Sequence, residues 1–306
     1  MRIVLLTNAA SGKGGSHSLA AQSADALARA GHTVDRVALG PGWQSEINDS
    51  RPDLIVACGG DGTVSAAAPL ASERDIPIYH LPRGTENLFA REFSMRPDAA
   101  RLRDAVGAWR VERFDLAECR VDDALPRCFV LMCSVGFDAD VLHALAARRS
   151  GPISHGSYTI PVIASLMRPT IRTLTIEVDG RVVVEGVKGN AVVSNCGRYA
   201  LGIDPSRDAS MTDGMLDVFF APSASSARTL AWMGMALARL GHNARSIVRA
   251  RGRIVRIHAA PARRTTGPAT HRHQLDGEAI GPDGSGGTLT LGVRPRALPV
   301  LLPAPD

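Results

Sequence analysis

No run of about 18 apolar residues occurs in the 306-residue sequence, so no membrane-spanning helix is expected. The opening MRIVLLTNAASGKGG has an apolar stretch too short for the core of a secretory signal, and it reads instead as a first buried strand. Its five cysteines (Cys58, Cys119, Cys128, Cys133 and Cys196) form no CxxC pair and no zinc-like spacing, which predicts reduced thiols and a cytoplasmic location. Aromatic residues make up only 4% of the chain, and no stacking platform accompanies its basic residues, which argues against nucleic acid as a partner. A Walker loop is also missing. Its nearest candidate, Ser11-Gly12-Lys13-Gly14, lacks the first glycine and the Ser or Thr after lysine. There is no GxGxxG and no internal repeat.

What the chain does have is a mild positive charge, unevenly spread. Thirty-five Lys and Arg against 30 Asp and Glu leave +5. Arg245, Arg249, Arg251, Arg253 and Arg256 form a basic cluster, followed by Arg263 and Arg264. Such a cluster suits an anionic lipid surface and is equally compatible with an ordinary solvated face.

The first hundred residues alternate between two periodicities. Strands are expected at Arg2–Thr7, Thr33–Leu39, Asp53–Cys58 and Ile76–Leu81. Helices are expected at Ser16–Ala30, from Thr63 onward, at Glu86–Phe93 and at Pro97–Trp109. Alternation with continuous apolar strands predicts an α/β domain whose parallel sheet is covered on both faces. Near Phe114 the texture changes to short strand-like runs separated by turns, with helical stretches around Ala139–Arg149 and Ala227–Arg249. Val178-Asp179-Gly180-Arg181 reads as a hairpin, because Asp-Gly suits the positive φ of a type I′ turn. The expected organisation is an α/β domain over residues 1–112 and a β-rich, sandwich-like domain over 113–292. The proline-rich tail, 293–306, is expected to pack back on the first domain.

Cys58-Gly59-Gly60-Asp61-Gly62-Thr63 follows an apolar strand and precedes an alanine-rich helix. Glycines let the backbone approach a ligand, and a helix N-terminus offers unpaired N–H groups and a positive dipole end; both suit phosphate. Asp61 in that position is odd. It can cap the helix that begins at Thr63 or fix the turn, or it can act through a divalent cation that bridges carboxylate and phosphate.

Further motifs follow in order: Asn8-Ala9-Ala10-Ser11-Gly12-Lys13, Pro82-Arg83-Gly84-Thr85-Glu86-Asn87, Ser134-Val135-Gly136-Phe137-Asp138, Asp213-Gly214-Met215-Leu216-Asp217 and Asp276-Gly277-Glu278. With GGDGT they run nearly the whole length. The set resembles the diacylglycerol kinase catalytic-domain family, which includes sphingosine kinases and bacterial soluble lipid kinases. GGDGT alone is shared with NAD kinases and phosphofructokinases, whose Rossmann-like fold the resemblance implies for the first domain.

The resemblance implies ATP over Gly59, Gly60, Asp61, Gly62 and Thr63, with Asn8, Ser11, Gly12 and Thr85 around it and Lys13 as a phosphate partner. The loops at the carboxyl ends of parallel strands share one crevice. It further implies that Asp276 and Glu278 face the nucleotide. Moving a γ-phosphate to an alcohol needs a carboxylate to orient the hydroxyl and take its proton. Glu278 is the nominated acceptor, with Asp276 its competitor or a metal partner; in isolation Asp276-Gly277 would be a plain surface turn. In relatives the Asp213 segment carries a structural Mg²⁺, which here maps to the Asp213 side chain and the carbonyls of Ser210 and Met215. His271 and His273 stand two apart without a third ligand nearby and are read as incidental.

Two departures from the family pattern bear on substrate class. Leu88 stands where a carboxylate is usual, and Asn195-Cys196-Gly197-Arg198-Tyr199-Ala200-Leu201-Gly202 replaces a more glycine-rich stretch. The expected function is an ATP-dependent lipid kinase acting on a lipid hydroxyl, diacylglycerol or sphingoid-like, at a membrane surface. Ser154–Met167 and Leu230–Leu240 are either docking helices for transient peripheral membrane contact or core segments. Alternatives are an NAD kinase-like enzyme and a nucleotide- or lipid-binding regulator with little turnover. A homodimer is left open.

Overall fold

The structure is a computed structural model that describes residues 1–8, 16–146, 171–237, 246–259, 272–280 and 287–305. Among them, 1–116 with 295–305 form one compact unit and 117–294 the other. The division falls four residues beyond the expected boundary at 112, within a long strand.

In the first unit, β1 (Arg2–Thr7), β2 (Thr33–Ala38), β3 (Leu54–Gly59) and β4 (Ile78–Pro82) form a parallel sheet in the order β2-β1-β3-β4. The end of β15 (Thr288–Leu301) joins it, with Val300 opposite Ile78 in parallel. Every residue of β3 and β4 is buried, as expected for strands covered on both faces. The cover comes from α1 (Ser16–Arg29), α2 (Trp43–Ser50), α3 (Asp61–Arg74), α4 (Leu88–Glu92) and α5 (Ala99–Ala108). Asp98 caps α5 by accepting from the Ala100 and Arg101 amides. α2 was not expected from the sequence: eight residues with only Trp43 and Ile47 buried give too short a period to see.

The second unit is antiparallel. Its strands after β5 (Val111–Val121) are β6 (Arg127–Phe129), β7 (Met132–Val135), β8 (Arg172–Val178), β9 (Arg181–Ser194), β10 (Leu216–Pro222), β11 (Val248–Gly252), β12 (Ile254–Ala259), β13 (His273–Leu275) and β14 (Glu278–Ile280). They run in the order β14-β13-β7-β9-β8-β12-β15, with β10 pairing both β9 and β11, and β6 pairing β5. Alternate residues of β8 and β12 enter a core that includes Leu174, Ile176, Phe220, Val255, Ile257 and Leu289. The predicted hairpin is present: Asp179 and Gly180 have φ of 47° and 80°, and Val178 pairs with Arg181.

Among the described residues, the α-helices that accompany these strands are α6 (Phe137–Ala146) and α7 (Ser226–Leu237). The expected helix over Ala227–Arg249 is corrected at its end, where Val248–Gly252 is strand β11 on β10. Val248, Ala250 and Gly252 alternate with Arg249 and Arg251, a period of two that the long preceding helical pattern hides. No helix among the described residues is long and apolar enough to cross a membrane.

Candidate functional site

Parallel register brings the glycine loops together. Thr7 lies opposite Cys58, and Gly59 opposite Pro82, so the chain leaves β1, β3 and β4 at neighbouring points. The Arg83 amide donates to the Gly59 carbonyl at 2.7 Å. Beyond that bond the backbones cross glycine on glycine: a Cβ at Gly84 would stand 2.6 Å from the Gly60 Cα. No side chain fits there. Asn87, at a left-handed φ of 50°, clamps the second loop. Its Oδ1 accepts from the Gly84 amide at 2.7 Å, and its Nδ2 donates to the Gly84 carbonyl at 2.8 Å.

Asp61 is the first residue of α3, but it does not cap that helix. Its carboxylate accepts from the Leu88 and Phe89 amides at 2.9 and 3.0 Å, the first two residues of α4. Asp61 thus bolts the PRGTEN segment to the GGDGT turn. Burial raises its carboxyl above the usual range, against the pull of the two amides. Leu88, the departure from the family pattern, sits at this joint through its backbone.

His80, which no sequence motif singles out, supports the same turn. It is fully buried, and its Nε2 lies 2.9 Å from the Gly59 carbonyl, which fixes it as the N–H donor. Burial lowers the ring to about 4, so it is neutral at physiological pH. Thr63 is buried with its hydroxyl unpartnered, and its amide donates to the Gly60 carbonyl. Asn8 and Thr85 lie on the neighbouring loops and have partners of their own. Ser11, Gly12 and Lys13 lie outside the described residues.

In the second unit, the Asp276-Gly277 turn joins β13 to β14 with φ of 50° and 86°, the positive pair that a two-residue hairpin requires. Asp276 is buried. Its two oxygens accept from three amides, those of Val130, Leu131 and Met132, at 2.7 to 3.0 Å. Glu278, two residues on, is exposed at the start of β14. The two acids that spacing left unranked therefore sit in opposite surroundings.

A polar network steadies the hairpin. The Gly277 amide donates to Gln274 Oε1 at 2.7 Å, and Gln274 Nε2 donates to Asp138 Oδ2 at 3.3 Å. That oxygen also accepts from the Ser134 hydroxyl at 2.6 Å and from the Tyr199 hydroxyl. Burial and the adjacent Asp138 push the Tyr199 hydroxyl far above its ordinary value, which keeps it a donor. Gln274 and Tyr199 were missed in the sequence because nothing in their spacing marks them. Nor did the sequence single out His273 for its place: it is buried in β13 beside Gln274, and His271 lies outside the described residues.

Ser210, Asp213 and Met215 share one turn. Asp213 Oδ1 accepts from the Met215 amide at 3.0 Å, and the Ser210 hydroxyl lies 2.9 Å from that of Thr212. Arg251 of β11 reaches the same turn. It bonds Asp217 Oδ1 at 3.1 and 3.0 Å and the Asp208 carbonyl at 2.9 Å, with Asp213 Oδ2 at 3.5 Å. Asp217 Oδ2 stays buried without a partner, and burial raises that carboxyl. The donor set is all oxygen, and part of its negative charge is unanswered by Arg251, which fits Mg²⁺.

The described arginines of the basic cluster are exposed, and several of them are engaged by neighbouring groups. Arg249 bonds the Pro205 carbonyl at 2.8 Å and lies 5.2 Å from the Phe219 ring centroid, and Arg256 pairs with Glu177 at 2.5 Å. Arg245, Arg263 and Arg264 lie outside the described residues, as do Ser154–Met167 and residues 238–240.

Comparison with known proteins agrees with this architecture. Residues 2–119 match the diacylglycerol kinase catalytic domain, and 132–302 the YegS C-terminal NAD kinase beta sandwich-like domain. A diacylglycerol kinase of Mycobacterium tuberculosis is 30% identical over 244 residues, covering 75% of this chain and 76% of that protein. Among solved structures, a diacylglycerol kinase from Bacillus anthracis superposes with a TM-score of 0.68 at 17% identity, over 98% of this chain and 96% of that one. Yeast NADH kinase shares the fold with a TM-score of 0.56 at 12% identity, over 100% and 84% of the two chains. An α/β unit carrying paired glycine loops and a β sandwich-like unit carrying an Asp-Gly-Glu hairpin make this chain a member of the diacylglycerol kinase catalytic-domain family, and so of the phosphotransferases.

Proposed function

We propose that the chain is an ATP-dependent lipid kinase that moves the γ-phosphoryl group of ATP to a lipid hydroxyl, of diacylglycerol or sphingoid type. The observation that carries this reading is the glycine-on-glycine crossing of Gly60 and Gly84 at the start of α3. Backbone without side chains, beside the positive end of a helix, is built for close approach of phosphate.

In this reading Gly59–Thr63 cradle the phosphates, with Asn8, Ser11, Gly12, Lys13 and Thr85 around them. Asp61 acts as a positioning residue, since both of its oxygens are engaged by α4. The bond between the γ-phosphorus and the β–γ bridging oxygen breaks, and one to the lipid oxygen forms. ADP leaves, and the hydroxyl proton passes to a carboxylate. Glu278 is that carboxylate. Asp276 is ill suited because three buried amides already claim its oxygens. Asp213, with the carbonyls of Ser210 and Met215, would hold Mg²⁺, which supplies fixed positive charge to an acidic turn when bound. Transient contact with a membrane brings the lipid alcohol within reach.

The test is transfer of label from γ-labelled ATP, with Mg²⁺, to a panel of lipids in mixed micelles. NAD is included, and Glu278→Gln and Asp61→Asn are run in parallel. Label in one lipid class that falls at least a hundredfold with Glu278→Gln supports the reading. Label in NAD instead moves the assignment to an NAD kinase-like enzyme, whose fold relative is noted above. Nucleotide binding with no transfer to any acceptor moves it to a regulator.

A further inference from the structure

The first unit has a polar cavity of about 390 Å³ whose lining includes none of the glycine-loop residues. Its floor includes Tyr79 of β4, and its walls come from Glu92, Ser94, Arg96, Arg101, Arg110 and the chain segment 302–304. Tyr79 and His80 are consecutive on a strand, so their side chains point to opposite faces of the sheet. His80 turns to the Gly59 carbonyl, and Tyr79 turns away from it.

Two independent features mark it as a ligand site. The first is charge. Three guanidinium groups line it against the single carboxylate of Glu92. Two further acids lie close by: Asp98, whose Oδ1 caps α5 and whose charge is felt at Tyr79, and Glu112, which pairs with Arg110 at 3.2 Å. The second is Tyr79. The residue is 0% exposed, and its hydroxyl has no hydrogen-bond partner. A buried hydroxyl left unpaired is costly, and a ligand oxygen that accepts from it would remove that cost.

The three arginines come from different places: Arg96 after α4, Arg101 within α5, and Arg110 after it. Donors converging from three directions suit the several oxygens of a tetrahedral phosphate better than a planar carboxylate, which a single fork would hold. The volume lies at the lower end of the range for small-molecule sites.

We propose that this cavity binds a phosphate monoester, held by Arg96, Arg101 and Arg110, with the Tyr79 hydroxyl donating to a phosphate oxygen. The monoester is either a free small metabolite or the headgroup of a lipid phosphate, and the chemistry is shared. The inference does not rest on the proposed kinase activity.

The experiment is calorimetric titration of the full chain with glycerol 3-phosphate, with ATP at saturation so that phosphate at the glycine loops does not contribute. A parallel arm measures sedimentation with vesicles of phosphatidylcholine, with and without phosphatidic acid. Saturable binding in either arm is expected, and the responding arm identifies the source. Arg96→Ala combined with Arg101→Ala should weaken it at least tenfold. Tyr79→Phe should weaken it roughly three- to tenfold while leaving the melting temperature of the unliganded protein unchanged or raised, since it deletes an unpaired hydroxyl. Absence of saturable binding in both arms, binding that survives the double arginine variant, or a Tyr79→Phe protein that binds normally would each overturn the proposal.

Discussion

Each unit has an Asp-Gly pair that ties distant backbone, Asp61 at the start of α3 and Asp276 in the hairpin between β13 and β14, and the two carboxylates act in the same way but for different ends. Asp61 reaches 27 residues along the chain and fastens one helix to the start of another through two amides. Asp276 reaches back about 145 residues and gathers three consecutive amides around a hairpin. In the first turn the chemistry is left to backbone, because the acid is consumed and its neighbours are glycines. In the second, Asp276 is buried and engaged while Glu278, the proton acceptor proposed above, is exposed. At both positions the aspartate of an Asp-Gly pair marks a joint between distant pieces of backbone.

Variants at four positions sharpen or break that comparison, taken from the largest expected effect on stability to the smallest. Asp276→Ala leaves three buried amides without an acceptor and should cost roughly 3 to 5 kcal/mol in urea unfolding. Asp276→Asn keeps one oxygen and should cost about half as much. If neither change moves the midpoint, the amides are not held as described.

His80 tests the first turn through pH. Its folded value is about 4, below the unfolded value near 6.5, so the unfolded chain takes up the proton first. Its contribution is complete above pH 6.5 and is lost as pH falls toward 4, by about 3 kcal/mol. His80→Gln keeps a donor for Gly59 and should flatten that part of the profile.

Asp61→Ala removes the cap of a short helix and should cost about 1 to 2 kcal/mol. Asp61→Asn should cost less and should also remove a slope. Burial raises this carboxyl, so ionisation is harder in the native state, and stability falls as pH rises past the ordinary carboxylate range. Glu278→Gln, at an exposed position, should change stability by no more than about 0.5 kcal/mol, while abolishing most phosphoryl transfer in the labelled-ATP assay. A large loss of stability there would make Glu278 a second joint and break the contrast.

The sequence disclosed the first unit's sheet well, because strands such as LIVACG and IYHLP are apolar throughout and have no other stable place. It disclosed which loops gather, because parallel strands of similar length end together. It did not disclose what Asp61 holds. The partners are backbone amides of Leu88 and Phe89, and an amide leaves no trace in residue identity. The same blindness left Asp276 and Glu278 unranked, since burial and amide acceptance depend on Val130–Met132, far along the chain. β11 was hidden for another reason: its alternation of Val248, Ala250 and Gly252 with Arg249 and Arg251 is only five residues long and follows directly on a long helical pattern.

Where Gly60 and Gly84 touch, evolution and engineering face the same lock. A bulkier residue at one position is ordinarily rescued by a smaller one opposite, but nothing is smaller than glycine. The two loops must therefore be inherited, or transplanted into another scaffold, as one indivisible part.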